Sequence, residues 1–263
     1  MSSPANEVSH TASSRRIVVV MPAYHAARTL RLTYAALSHD SIDSVILVDD
    51  GSRDETVRIA RELGLEVFIH SRNRGYGANQ KTCYREALRA GADIIVMVHP
   101  DYEYDPSLIP QLIRPIERAE ADMVLGSRFM GAHPVRQGMP WWKYLGNRVL
   151  MFCGNRVLGL NLSEYHTGYR AYSRAAPESA NFACNSDRFV FDQEILVQML
   201  VSGMRITEVA VPVRYFPEAS SASFAQSVVY GLSIVRLLPS FIGQRWGLLK
   251  SSRFVTDRQS SGE

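Results

Sequence analysis

Four short runs of β-branched and aliphatic residues recur through the first hundred positions, each followed by a polar, turn-rich segment and then a helix-compatible stretch. They are "RIVVVM" (16–21), "SVILV" (44–48), "EVFIH" (66–70) and "DIIVMV" (93–98). The first does not alternate in polarity, which is the mark of a strand covered on both faces. Helical segments are expected at roughly 26–38, 54–63 and 76–90. Strands and helices alternating at this spacing predict βαβ units and a largely parallel sheet. Ligands of such sheets bind beyond the carboxyl ends of the strands. There the sequence places "PAYH" (22–25), "DDGS" (49–52), "SRNRGYG" (71–77) and "HPDYEYD" (99–105), so four polar segments should converge on one edge.

After the fourth strand the rhythm changes. A helix at 107–118 leads to the strand "DMVLG" (122–126), then to a long amphipathic stretch at 140–160. "SEYHTGYRAY" (163–172) reads as a loop, 188–201 as a helix and 207–215 as a late strand. The expected division is a disordered lead-in (1–15), one domain (16–216) and a C-terminal amphipathic helix with a tail (217–263). With 46% hydrophobic and 21% charged residues, 263 positions suit a globular protein with a sizeable core. A net charge of +3 does not indicate nucleic acid as a partner. Cys83, Cys153 and Cys184 lie far apart, which suits a reducing compartment and argues against structural zinc. The first sixteen residues lack the apolar core of a signal peptide. The apolar stretch 227–243 is broken by Arg236 and Pro239 and suits lying on a membrane better than crossing one.

The chemistry concentrates in "VMVHPDYEYDP" (96–106), a buried strand that ends in acids and an imidazole. Asp101 is the best candidate ligand for a divalent cation, which would neutralise a substrate diphosphate. His99 and Glu103 share its parity, so the three project to one side if extended geometry persists. Asp105 before Pro106 reads instead as a helix start. Asp49 and Asp50 suit hydrogen bonds from a base or ribose, or an Asx turn into the next helix. "NRGYGANQ" (73–80) has Gln80 where GxGxxG needs its third glycine, and no Walker P-loop is present, which excludes hydride-transfer and P-loop ATPase readings. Trp141 and Trp142 beside Lys143 and Arg148 suit a bilayer headgroup region or an ordinary two-sided surface helix. Met97, Met123 and Met151 read as core, Cys83 as a small buried hydrophobe, and His10, His39 and His70 as scattered.

"VVVMPAYHAARTL", "ILVDDGSRDET", "NRGYGANQKTCYREALRAGAD", "VMVHPDYEYDP" and "VLGSRF", in that order, resemble the family 2 glycosyltransferases of the GT-A fold. "EYHTGYRAYSR" and "FDQEIL" look most like the branch that holds dolichol- and polyprenyl-phosphate mannosyltransferases. The resemblance spans about residues 16–216. It implies an α/β GT-A fold: a Rossmann-like, mostly parallel central sheet flanked by helices, with a C-terminal amphipathic helical appendage. It implies inverting transfer from a UDP- or GDP-linked sugar to a polyprenyl phosphate, with Mg²⁺ or Mn²⁺, at the cytoplasmic membrane face, by a peripheral protein that could form a homo-oligomer. By the same resemblance Pro22, Ala23, Tyr24, Asp49, Asp50, Asn73 and Gly77 would line the nucleotide. His99-Pro100-Asp101 takes the place of the DxD motif, so the metal set would be Asp101, His99 and Glu103. Arg128, Lys143 and Arg170 would hold the acceptor phosphate. Asp101, Arg128, Asp192 and Glu194 would serve catalysis, and Glu164 falls at the acidic position of DxxTGxR. Here His99 stands where the pattern has its first aspartate, Ala26 where it has an acid, and "SSASF" (220–224) where the branch has Ser-Lys. A lipid phosphate needs no general base, because its second pKa of about 6 leaves it largely anionic. Two alternatives stay open: a hydroxyl acceptor in cell-surface glycan synthesis with Asp192 or Glu194 as base, and a nucleotide-sugar-binding protein without turnover.

Overall fold

The computed structural model describes residues 15–130, 134–135, 138–212, 231–233 and 239. The expected lead-in and nearly all of the C-terminal appendage lie outside the described residues. Seven strands, β1 (Ile17–Ala23), β2 (Ser44–Asp49), β3 (Glu66–Ile69), β4 (Ile94–Met97), β5 (Met123–Ser127), β6 (Arg170–Ser173) and β7 (Ile206–Ala210), form one sheet in the order β3-β2-β1-β4-β6-β5-β7. The β1–β2, β1–β4, β2–β3 and β5–β7 pairs are parallel, as the alternating pattern predicts.

Both faces of the sheet are covered, and that explains the unalternating runs. Val18, Val20, Ile46, Val48, Ile95 and Met97 enter a core with α3 (Tyr76–Arg89), α5 (Trp141–Leu158), α6 (Ala175–Glu178) and α7 (Phe191–Val201). Their neighbours Ile17, Val19, Met21, Leu47, Ile94 and Val96 enter a second core, with α1 (Leu30–Ala35), α2 (Thr56–Glu62) and α4 (Ile109–Glu117). Successive strand residues point to opposite faces, so a strand apolar at every position requires exactly this double cover. Cys83, Met97, Met123 and Met151 are buried, as expected.

Three expectations are corrected. Residues 163–172 do not stay a loop: Arg170–Ser173 form β6, inserted antiparallel between β4 and β5. A four-residue strand that begins with a charged side chain carries too little polarity pattern to be read. The first helix starts at Leu30, not near residue 26, because Thr29 and Leu30 both donate to the Ala26 carbonyl in a turn. Finally, β7 ends at Ala210 within the described residues.

Helix α3 begins against the 186–187 turn, and two glycines permit the approach. Gly75 takes φ +103°, where glycine is favoured. Gly77 is buried, donates its N–H to the Asp187 carbonyl at 2.9 Å, and has no room for a Cβ, which would overlap the Ser186 carbonyl. Its absent side chain is what lets the helix start pack on this turn. We expect Gly77→Ala to destabilise the fold by about 1–3 kcal/mol through overpacking. Urea unfolding with an unchanged midpoint would contradict that packing.

Candidate active site

The four polar segments do converge, and side chain–backbone hydrogen bonds lace them together. The His25 amide donates to Ser52 Oγ at 2.9 Å and the Ala26 amide to Thr56 Oγ1 at 2.8 Å, joining "PAYH" to the segment after β2. Thr29 Oγ1 donates to the Pro100 carbonyl, which brings in the segment after β4. Asp50 closes the set: its carboxylate accepts from the Arg74 and Gly75 amides at 2.9 Å and meets His70 Nδ1 at 2.7 Å. Asp50 and His70 are therefore buried scaffold, a correction for both, since His70 is not a scattered histidine. Asp49 makes the Asx turn with one oxygen, accepting from the Gly51 and Ser52 amides at 3.1 and 2.9 Å. Its Oδ1 is enclosed and has no hydrogen-bond partner among the described residues. An orphaned acceptor there suits an N–H or O–H of a base or ribose. Pro22 and Ala23 are buried within β1, whereas Tyr24 and Asn73 are exposed at the rim.

Beyond β4 the extended geometry stops at Met97, so the shared parity of His99, Asp101 and Glu103 does not hold. Tyr102 takes a left-handed φ of +59°, and Asp101 Oδ1 accepts from the Glu103 amide at 3.0 Å in a turn. The three side chains part. No cluster of three potential metal ligands forms among the described residues. Asp101 remains half-exposed at the rim, and its Oδ2 makes no hydrogen bond among them.

Glu103 turns toward Arg128, 3.4 Å from Nη1. Burial raises the Glu103 pKa, Arg128 opposes the rise and Asp101 adds to it. Arg128 itself is committed to the fully buried Glu164, donating from its amide at 2.7 Å, from Nε at 2.8 Å and from Nη2. Its fork is held by a carboxylate, so it contributes positive charge rather than a ready phosphate clamp. Lys143, on the first turn of α5, is half-buried, and burial followed by Arg128 lowers its pKa. It forms no ion pair among the described residues. His166 sits nearby, its pKa pushed down to about 3 by burial and then by Arg128 and Arg170, which keeps the ring neutral.

Arg170 is corrected as an acceptor group. It is 1% exposed, and its guanidinium donates to the carbonyls of Thr167 (2.7 Å), Asp192 (3.0 Å) and Tyr165 (3.0 Å). The two proposed bases are also engaged. Asp192 is 8% exposed and accepts from Tyr76 Oη at 2.7 Å and Gln80 Nε2 at 3.1 Å. Glu194 is buried and accepts from the Ser186 amide at 2.6 Å. Sequence reasoning passed over Tyr76 and Gln80. Their signal was present: Tyr76, Gln80 and Tyr84 recur every four residues on α3 and so share one face.

The sequence profile described as "Glycosyl transferase family 2" matches residues 18–179, which hold every segment of this rim. The chain belongs to that family. Among relatives, the UDP-N-acetylglucosamine–dolichyl-phosphate N-acetylglucosaminyltransferase of Methanococcus voltae is 27% identical across 88% of this chain and 98% of its own. The undecaprenyl-phosphate mannosyltransferase of Micrococcus luteus is 26% identical across 90% and 98%. The glucosyl-3-phosphoglycerate synthase of Mycobacterium tuberculosis, solved with Mn²⁺, uridine diphosphate and phosphoglyceric acid, superposes with a TM-score of 0.67 at 22% identity, covering 90% of this chain and 81% of that one. That similarity supports the GT-A fold. As a family 2 glycosyltransferase the protein is an enzyme that moves sugars. At this rim Asp101 Oδ2 is the carboxylate oxygen left without a hydrogen bond among the described residues, and a divalent cation there would draw its further oxygens from a bound diphosphate.

The Arg128–Glu164 pair is buried, and removing one partner strands the other charge. We expect Glu164→Ala to cost about 3–5 kcal/mol of stability by urea unfolding. A loss under about 1 kcal/mol would show that the pair is solvated instead.

Proposed function

We propose that this family 2 glycosyltransferase moves a sugar from a UDP- or GDP-linked donor onto a polyprenyl phosphate, with inversion, while resting on the cytoplasmic face of a membrane. One observation carries the reading: helix α5 serves both halves of such an acceptor. Lys143 on its first turn interacts with Arg128 and Glu103 at the rim. Along the same helix, Trp141 (70% exposed), Leu145, Val149 and Phe152 (73% exposed) form an apolar stripe flanked by exposed Arg148 and Arg156. Spacings of four, four and three residues put these side chains on one face. A stripe of tryptophan, phenylalanine and leucine edged with arginine suits an interfacial helix. No helix among the described residues is long and apolar enough to cross a membrane. The relatives named for dolichyl and undecaprenyl phosphate support the same acceptor class.

The acceptor chemistry agrees with the engaged carboxylates. A hydroxyl acceptor needs a base to take its proton, and both Asp192 and Glu194 are buried and hydrogen-bonded. A lipid phosphate is already anionic. One of its oxygens attacks the anomeric carbon, the bond from that carbon to the donor's diphosphate breaks, and the electron pair leaves with the nucleoside diphosphate. Lys143, with the field of Arg128 behind it, steadies the incoming phosphate. Asp49 Oδ1 and Tyr24 line the nucleoside end. A divalent Mg²⁺ or Mn²⁺ held by Asp101 and His99 would offset the charge gathering on the departing diphosphate.

Assays with UDP- and GDP-linked hexoses and polyprenyl phosphate in anionic vesicles test this. We expect nucleoside diphosphate release that depends on the lipid phosphate. Asp101→Asn should lower turnover by a factor on the order of 10² or more, and the Leu145→Glu/Phe152→Glu double variant should leave the vesicles. Release that proceeds only with a hydroxyl acceptor would overturn the assignment.

A further inference from the structure

A fringe of arginines lines the carboxyl edge of the sheet. Arg53 follows β2, Arg72 and Arg74 follow β3, and all three are exposed. Their two loops touch: a Cβ on Gly51 would lie 2.8 Å from the Arg72 carbonyl carbon, and the Arg74 amide donates to Asp50 at 2.9 Å. Arg188, also exposed, follows the turn on which α3 starts, where the Gly77 amide donates to the Asp187 carbonyl. None of these four side chains forms an ion pair among the described residues.

The exposed acids beside them are already engaged. Asp54 accepts from the Ala27 amide and from Thr56, Glu55 pairs with Arg58, and Asp187 pairs with Lys81. Like charges gathered without counter-ions raise the local positive potential. The opposite edge is built differently. There an aspartate immediately precedes each of β2, β4 and β5 (Asp43, Asp93 and Asp122), and Arg205 is tied to the last.

Exposed aromatic rings accompany the fringe. Tyr24, just past β1, is 53% exposed. Phe189, next to Arg188, is 45% exposed and packs on Tyr76 with ring centroids 4.6 Å apart. Lys81 Nζ bonds both the Asn185 carbonyl and the Asp187 carboxylate, so the turn leading to Arg188 and Phe189 is fixed before any partner arrives. On the β5 side of the mouth stands Trp141, in the same helical turn as Lys143. Aromatic rings interspersed with unpaired arginines suit a surface that meets anionic headgroups.

We propose that the carboxyl edge of the sheet, through Arg53, Arg72 and Arg188, is the face this protein turns to an anionic lipid surface. The apolar stripe of α5 inserts on one side of the mouth, and the arginines hold the other side electrostatically. Asp101 and Lys143 then point at the headgroup layer, where the phosphate of a lipid acceptor lies. This rests on the membrane setting proposed above and adds the face that meets the bilayer, which the α5 stripe alone leaves open.

Co-sedimentation with vesicles, in the absence of nucleotide, tests the fringe. Each arginine close to an anionic surface contributes a factor of about five in partitioning. Arg53→Gln/Arg72→Gln/Arg188→Gln should therefore bind vesicles of phosphatidylcholine with phosphatidylglycerol on the order of 10²-fold more weakly than the wild type. Pure phosphatidylcholine vesicles should bind both proteins equally, and high salt should erase the difference. Arg74 is kept, because it stands two residues from Tyr76. In vesicle-free buffer the variant should retain the urea midpoint and the UDP or GDP affinity of the wild type. Orientation is read with fluorophores on Arg72→Cys and, at the opposite edge, on Arg118→Cys, in a Cys153→Ser/Cys184→Ser background that removes the exposed native thiols. Headgroup nitroxides should quench the label at residue 72 and spare the one at residue 118. A partitioning loss under about five-fold, or equal quenching at both positions, would overturn the proposal. Weakened nucleotide binding with unchanged vesicle binding would also overturn it and give the arginines to the donor. If the fringe binds anionic vesicles and no sugar reaches a polyprenyl phosphate, the acceptor assignment falls and this orientation stands.

Discussion

The rim depends on a guanidinium buried in the middle of the sheet. Arg170 opens β6 and lies in register with Met97 on one side and Leu125 on the other. A charge in that place costs several kcal/mol to desolvate. Three carbonyls and the Asp192 carboxylate offset the cost. Burial works against the charged form, yet Asp192 and the surrounding tyrosines keep the Arg170 pKa raised. By gripping the carbonyls of residues 165 and 167 and of Asp192, one side chain ties the 163–169 segment to the start of α7. That segment brings Glu164, His166 and Gly168 to the rim, so the geometry beside His99 and Arg128 follows from one buried cation.

Two networks meet on this segment and divide the work. On one side Arg128, Glu164, Glu103 and Lys143 form a charged group of two cations and two acids, with Arg128 paired to both carboxylates and Lys143 beside them. On the other, Tyr84, Gln80, Asp192, Tyr76 and His99 form a line of hydrogen bonds leading from the core to the rim. The neutral His166 between Arg128 and Arg170 avoids adding a third positive charge to their neighbourhood. Buried networks of this kind are stable only when every member is satisfied, which is why so many apparent catalytic candidates prove to be fully bonded.

The parallel half of the fold was legible because strands covered on both faces leave an unmistakable signature in "RIVVVM" and "DIIVMV". Strand β6 was not, since four residues beginning with Arg170 satisfy their polar group through tertiary contacts no local pattern records. At the site, convergence at the carboxyl edge was readable, and Asp101 does stand there with a free oxygen. Its grouping with His99 and Glu103 was not, because the parity argument assumes a strand and Tyr102 turns left-handed. Asp50, Gly77 and Arg170 sit in motif positions but work as scaffold. Motif spacing identifies which residues matter and leaves open whether each one touches a ligand or holds one that does.

The most direct measurement is calorimetric binding of UDP and GDP, with and without Mn²⁺, to the wild type and to Asp101→Asn. A rim built around Asp101 and a bound diphosphate requires that one of these nucleotides bind the wild type more tightly when Mn²⁺ is present. It also requires Asp101→Asn to abolish that gain while leaving metal-free binding nearly unchanged. Nucleotide binding indifferent to both Mn²⁺ and Asp101 would contradict it.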